Sequence, residues 1–144
     1  MSTANEGLKP EMCQLWQVYA ASDGRNNVLK AGYLHKKPTN HKFGGVKKRY
    51  FVLLHRALLY YSDKVEDHEW NDQNPKGIIQ LNENVKIQMF KDKNQFVLTS
   101  GQPSEILLLA WSEDIEETKS WVERIGSLCQ ELYGHLQKIG RAHV

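Results

Sequence analysis

The 144-residue sequence predicts a mostly β domain: seven short strands in a small antiparallel barrel or sandwich, capped by a C-terminal amphipathic α-helix. Three observations lead there. Seven segments rich in β-branched, aromatic and aliphatic residues follow one another from residue 28 to residue 111, separated by turn residues. One long stretch of helical periodicity then closes the sequence, and a small barrel needs such an element across an open end. Within the first strand segments, positive charge is concentrated. Eight Lys or Arg and no Asp or Glu lie between Lys30 and Arg56, leaving 11 bases against 17 acids elsewhere.

Ahead of the strands, residues 1–27 read as an N-terminal extension. Met12, Leu15, Trp16 and Tyr19 follow the i, i+3, i+4, i+7 spacing of one apolar helix face. SDGRNN (22–27) is a turn or linker. VLKAGYLHKK (28–37) is the first strand and opens the basic region. KKRYFVLL (47–54) is the second, and 38–46, with Pro38 and Gly44-Gly45, is the turn between them. RALLYYS (56–62) follows at once, so His55 and Arg56 form a tight corner. The polar, acidic stretch DKVEDHEWNDQNPK (63–76) is a loop. GIIQL (77–81), NVKIQMF (84–90), NQFVLTS (94–100) and EILLLAW (105–111) complete the strands, with NE, KDK and GQPS as turn signals.

Ser112 suits the N-cap of the closing helix, and Glu113, Asp114, Glu116 and Glu117 place negative charge where the helix dipole favours it. Apolar positions recur at Ile115, Thr118, Val122, Ile125, Cys129, Leu132, Leu136 and Ile139, with Trp121 flanking that seam. Up to Leu132 this is the buried stripe of a capping helix. Residues 133–144 are a helix extension or tail, in which Gly134, like Gly126 before it, interrupts the pattern. The domain so delimited is 28–132.

Composition sets the functional classes. The chain is 40% hydrophobic and 25% charged, ordinary values for a globular protein with a real core. No window approaches a membrane span of ~18 apolar residues, and the first residues lack a signal-peptide pattern and a glycine for myristoylation. Cys13 and Cys129 lie far apart with no metal spacing, which reads as two reduced cytoplasmic thiols. No nucleophile elbow, metal cluster, phosphate-binding loop motif or shared carboxylate pair is present, so the expectation is no catalysis, no cofactor and no metal. Nucleic acid is a poor partner for a chain whose charge outside one region is acidic.

KAGYLHKK, KKRYFVLL, LLYYS, PKGIIQL and the helix of Trp121 occur in the order and spacing of a known family. Over about residues 28–132 the sequence resembles a pleckstrin homology (PH) domain. In lipid-binding members a Lys ends the first strand and a basic-x-Arg triplet opens the second, a pattern that Lys36 and Lys47-Lys48-Arg49 fit. Domains that bind 3-phosphorylated inositol lipids add a Tyr on the third strand and a base before the fourth, matched by Tyr60 and Lys76. The resemblance implies a phosphoinositide-binding module, without catalysis, that is cytoplasmic and reversibly recruited to the plasma or an endosomal membrane. One departure is the acidity of the preceding loop, with Asp63, Glu66, Asp67, Glu69 and Asp72.

The residues themselves suit an inositol phosphate. Alternation puts Lys47 and Arg49 on one face of their strand and Lys48 on the other, and a hairpin through 38–46 brings Lys36 opposite. Like charges converge only at a cost unless an anion fills the space between them. Arg49 offers a bidentate fork, Lys36 and Lys47 point charges, Tyr60 a hydroxyl, and Lys76 closes the side. Lys37, Lys42 and Lys48 are expected to meet anionic lipid, with Phe43 either inserted at the interface or folded back on the barrel. Gly44-Gly45 either lets amides approach phosphate or is a plain turn, and His35, His41 and His55 either add charge at low pH or have no role. Trp70 is either a contact or packed on the wall. The rival reading is a protein-interaction module that binds anionic lipid weakly and without selectivity.

Overall fold

The computed structural model describes residues 28–39, 45–65, 75–101 and 104–141, with side chains of the last helix described as far as Glu131. Seven strands are seen: β1 (Lys30–Lys36), β2 (Lys47–Leu53), β3 (Ala57–Tyr61), β4 (Gly77–Gln80), β5 (Val85–Phe90), β6 (Gln95–Gly101) and β7 (Ser104–Trp111). One helix, α1 (Ile115–Arg141), follows. The strands form one sheet in the order β4-β3-β2-β1-β7-β6-β5, and the registered pairs are antiparallel. The fold class is the one the sequence predicts.

The described residues fall into two compact units. In the first, 28–34 and 48–80, the tight corner at His55-Arg56 is closed by the Leu54 amide donating to the Ala57 carbonyl at 2.8 Å. That corner sets the register Phe51↔Tyr60 and Val52↔Leu59, and β4 continues it with Tyr60↔Gly77 and Leu59↔Ile78. Phe51, Val52, Leu53, Leu58 and Leu59 are each at most 1% exposed, so the strands are apolar on both sides rather than alternating with polar residues.

In the second unit, 35–47 and 81 onward, β5 turns into β6 through a 3-10 turn at Lys91–Lys93. Asn94 then takes a left-handed conformation, φ 51°, where the sequence predicts the start of a strand. Asn tolerates this conformation and here uses it to reach the Ser112 carbonyl with Nδ2, at 2.7 Å. β6 pairs with β7 through an irregularity after Leu98, and β7 pairs with the end of β1 as His35↔Trp111 and Lys36↔Ala110. Helix α1 packs against β5 and β6.

Two helix expectations need correction. Asp114, not Ser112, caps α1: Asp114 Oδ1 accepts the Glu116 amide at 3.0 Å, and its carbonyl accepts the Thr118 amide at 3.0 Å. Ser112 lies outside the helix, bound to Thr118 Oγ1 in both directions. The buried stripe runs Thr118, Trp121, Ile125 and Cys129, so Trp121 is in the seam, while Ile115 is 38% exposed. The helix runs unbroken through Gly126 and Gly134 to Arg141.

Two substitutions in α1 should move stability in opposite directions. Trp121→Ala empties a fully buried site and should cost about 3–5 kcal/mol. At Gly126 a Cβ would meet only Ile87 Cγ2, at 3.6 Å, an ordinary contact. Gly126→Ala should therefore gain roughly 0.5–1 kcal/mol from helix propensity. Urea denaturation checks both, and a destabilised Gly126→Ala would show that the helix–β5 contact is tighter than this geometry.

Candidate functional site

The first unit brings three of the expected residues together. Alternation along β2 puts Arg49 and Phe51 on one side, and the register sets Phe51 opposite Tyr60 and Tyr60 opposite Gly77. The Phe51 and Tyr60 rings stack at 5.2 Å between centroids, tilted by 35°. Phe51 is fully buried and thus forms a fixed floor for the tyrosine. On the other flank a Cβ at Gly77 would run into Cζ and Oη of Tyr60, so only glycine lets the ring lie there. Lys76 arrives next to it: its amide donates to the Tyr60 carbonyl at 2.7 Å.

Electrostatics tie Arg49 to this tyrosine. Burial pushes the Tyr60 hydroxyl above the ordinary tyrosine value, while the positive charge of Arg49 pulls the other way. The phenol therefore stays protonated and remains a donor. Arg49 is half-buried, and its Nη1 donates to the Lys48 carbonyl at 3.2 Å. Among the described residues no ion pair joins Arg49 or Lys76 to a carboxylate.

Lys36 and Lys47 belong to the second unit. Lys36 is half-buried near the end of β1, paired in register with Ala110, and Lys47 is exposed as the first residue of β2. Of the expected membrane contacts, Lys37 is exposed and its amide donates to the Leu109 carbonyl at 3.0 Å. Lys48 is exposed on the side of β2 away from Arg49, with Nζ 4.9 Å from the centroid of the Tyr33 ring. Lys42, Phe43, Gly44 and His41 lie outside the described residues, as do Trp70, Cys13 and the acids Glu66, Asp67, Glu69 and Asp72. Gly45 has open space around its Cα, so packing does not demand glycine there.

His35 is engaged elsewhere: its Nε2 is 3.2 Å from Glu113 Oε1, and its ring lies on Trp111 at 5.7 Å. His55 is exposed at its corner. Among the described residues no group of His, Cys, Asp and Glu could hold a metal ion, and no described helix is long and apolar enough to cross a membrane. Sequence reasoning missed Phe51 as the floor and Gly77 as the flank. The signal was available for Gly77, a glycine opening a strand beside the expected site residue Lys76. It also missed the Tyr33–Tyr50 pair, whose rings meet edge-on at 5.1 Å while the Tyr33 hydroxyl accepts the Lys64 amide at 3.1 Å.

The PH domain family model matches residues 28–130. Src kinase-associated phosphoprotein 1 of Rattus norvegicus is 30% identical over 115 residues, which is 74% of this chain and 30% of that protein. The chain thus spans under a third of that relative. Among solved structures, the C-terminal PH domain of pleckstrin in complex with D-myo-Ins(1,2,3,5,6)P5 matches with a TM-score of 0.55 at 21% identity, over 71% of this chain and 95% of that one. The Slm1-PH domain in complex with inositol-4-phosphate gives 0.57 at 18% identity, over 71% and 96%.

Tyr60 makes a pH-linked prediction. A neutral phenol favoured by folding contributes stability that is complete below the ordinary tyrosine value of 10.0 and is lost as pH rises through the higher folded value. The parent protein should therefore lose stability as pH rises above ~10 more steeply than Tyr60→Phe, the other tyrosines being common to both. Gly77→Ala should displace the ring and cost about 1–3 kcal/mol. Parallel pH dependences in the two proteins would contradict the burial of this hydroxyl.

Proposed function

The chain belongs to the PH domain family, and we propose that it is a phosphoinositide-binding member, without catalysis, that recruits the protein carrying it to membranes. The observation that carries this reading is the half-buried Arg49 beside the protonated Tyr60, with Lys76 next to that tyrosine and, among the described residues, no ion pair from Arg49 or Lys76 to a carboxylate. Two cations so placed favour an anion with several acceptor oxygens. The complexes of the pleckstrin and Slm1 domains with inositol phosphates support the same chemistry on this fold.

In this mechanism the basic region first draws the domain to an anionic surface, an attraction that fades within a Debye length. Arg49 then takes a phosphate bidentately, Lys36 and Lys47 supply point charges, Tyr60 donates its hydroxyl, and Lys76 holds the far side. Lys37, Lys42 and Lys48 meet neighbouring headgroups, with Phe43 at the interface. The pairing of Tyr60 with Lys76 is the reason to assign preference to 3-phosphorylated lipids.

The rival role, a protein-interaction module, draws on the similarity to a Src kinase-associated phosphoprotein. Liposome co-sedimentation across the seven phosphoinositides at physiological salt separates the two. Binding should favour 3-phosphorylated lipids, and Arg49→Glu should weaken it at least ~tenfold, since it both removes the fork and adds a repelling charge. Binding proportional to lipid charge alone, unchanged in the variant, would defeat the pocket. No binding at all would leave the interaction module standing.

A further inference from the structure

The pairing of β6 with β7 changes by one residue part-way along. As far as Leu98↔Leu108 the strands match one to one, and Phe96, Leu98, Leu108 and Ala110 are each at most 1% exposed. Past that point Thr99 pairs with Ile106, so β7 carries one residue more than β6. Such a bulge turns the side chains that follow to the other side of the strand. Ile106 is spaced from Leu108 and Ala110 as if to be buried with them, and instead it is 47% exposed.

The side it joins faces away from the helix. Gly126 of α1 lies against Ile87, and Ile87 pairs with Leu98, so the helix lies over the buried side. On the other side Lys86 stands opposite Thr99 and Val97 opposite Leu109, with Phe90 and Trp111 at the far ends of their strands. An antiparallel sheet ordinarily turns polar residues to water. Here Ile106 and Phe90 are exposed, and Val97, Leu109 and Trp111 are half-buried. No carboxylate takes this side of β5, β6 or β7, because Glu105 pairs with Ser100 and faces the other way.

β7 also runs past the end of β1. Lys36 pairs with Ala110 and the Lys37 amide donates to the Leu109 carbonyl, which leaves Ile106 about 10 Å further along the strand. Lys37 is exposed and, two residues after His35, which pairs with Trp111, takes the same side as Ile106. An aliphatic side chain thus stands in water with a lysine on either flank, at the end of the sheet to which Lys36 leads.

We infer that Ile106 is a membrane anchor: its side chain enters the acyl boundary of a lipid surface while Lys86 and Lys37 meet anionic headgroups beside it. This anchor rests on the membrane reading above and adds a contact on β7, separate from the headgroup site and from the residues between β1 and β2. Charge selects the occupant. Lysines with no carboxylate on their side suit a surface that is anionic outside and apolar within, as an anionic bilayer is. One aliphatic residue holds a bilayer weakly by itself, but once a headgroup is bound its insertion is an intramolecular step and adds to the whole.

The test puts an environment-sensitive fluorescent amino acid in place of Ile106 in the full chain and, in a second protein, in place of Phe90. The vesicles contain phosphatidylcholine, phosphatidylserine and a 3-phosphorylated phosphoinositide, with brominated acyl chains. Emission from position 106 should shift to the blue and be quenched, and emission from position 90 should do neither. Quenching at both positions or at neither would overturn the assignment, as would self-association through position 106 without vesicle binding. Ile106→Asp and Phe90→Asp add the same charge at the two ends of this face. Ile106→Asp should weaken vesicle binding at least ~tenfold and Phe90→Asp less than ~threefold, with affinity for a soluble inositol tetrakisphosphate unchanged in both. Equal losses from vesicles would defeat the anchor. The soluble headgroup separates the two readings: binding it without quenching at 106 keeps the headgroup site and removes the anchor, and quenching at 106 without headgroup binding does the reverse.

Discussion

Side chains alternate along a strand, and in β2 that constraint divides seven residues into two chemistries. Lys47, Arg49, Phe51 and Leu53 point one way, while Lys48, Tyr50 and Val52 point the other. A shift of register by one residue would exchange the two sets, putting Tyr50 or Val52 where Phe51 now sits and Lys48 or Tyr50 in place of Arg49. The tight corner at His55-Arg56 prevents that shift by fixing β3 against β2. β4 inherits the same register, which places Gly77, the residue that can lie against the Tyr60 ring, beside it. The arrangement around Arg49 is thus a consequence of strand pairing.

A second fixed point lies in the other unit, where β7 hands over to α1. Ser112 exchanges hydrogen bonds with Thr118 Oγ1, and its carbonyl also accepts from Asn94 Nδ2. These contacts join the β5–β6 turn, the end of β7 and the first turn of the helix. Thr118 is fully buried, so its hydroxyl needs these partners: a buried hydroxyl left unpaired costs about 1–3 kcal/mol. His35 adds the end of β1 to the same region through Glu113 and Trp111. Glu113 is highly exposed, and an exposed pair of this kind contributes at most ~1 kcal/mol. Its effect is to orient the histidine rather than to hold the fold.

The strands were legible because composition, turn residues and short length agree at each of them, as in KKRYFVL or VKIQMF. The helix start was harder to read. Ser112, Asp114 and the intervening acid all suit a cap, and only the geometry of the Asp114 carboxylate with the Glu116 amide separates them. From sequence, Trp121 and its neighbour Val122 compete for one seam position, and packing decides for the larger side chain. Of the site, the charged residues could be named from their types and positions, whereas Phe51 as a floor depends on β2–β3 register, which no single segment reveals. The His35–Glu113 contact spans 78 positions and leaves no local trace.

Burial of Tyr60 has a consequence for any anion that arrives beside Arg49. A lysine at that position would have to be desolvated with its charge, whereas a phenol carries no charge to desolvate and still donates. Arg49 stays charged at any pH the protein meets, so it can lie half-buried without losing its proton. Of the two donors, one is neutral and stacked on Phe51, the other cationic and beside it. Lys47 and Lys48 are exposed to water, Lys48 with its ammonium over the Tyr33 ring. A neutral donor held on Phe51, a half-buried guanidinium and exposed ammonium groups thus differ in how far each is withdrawn from water, and on the proposed reading that order runs from recognition to attraction.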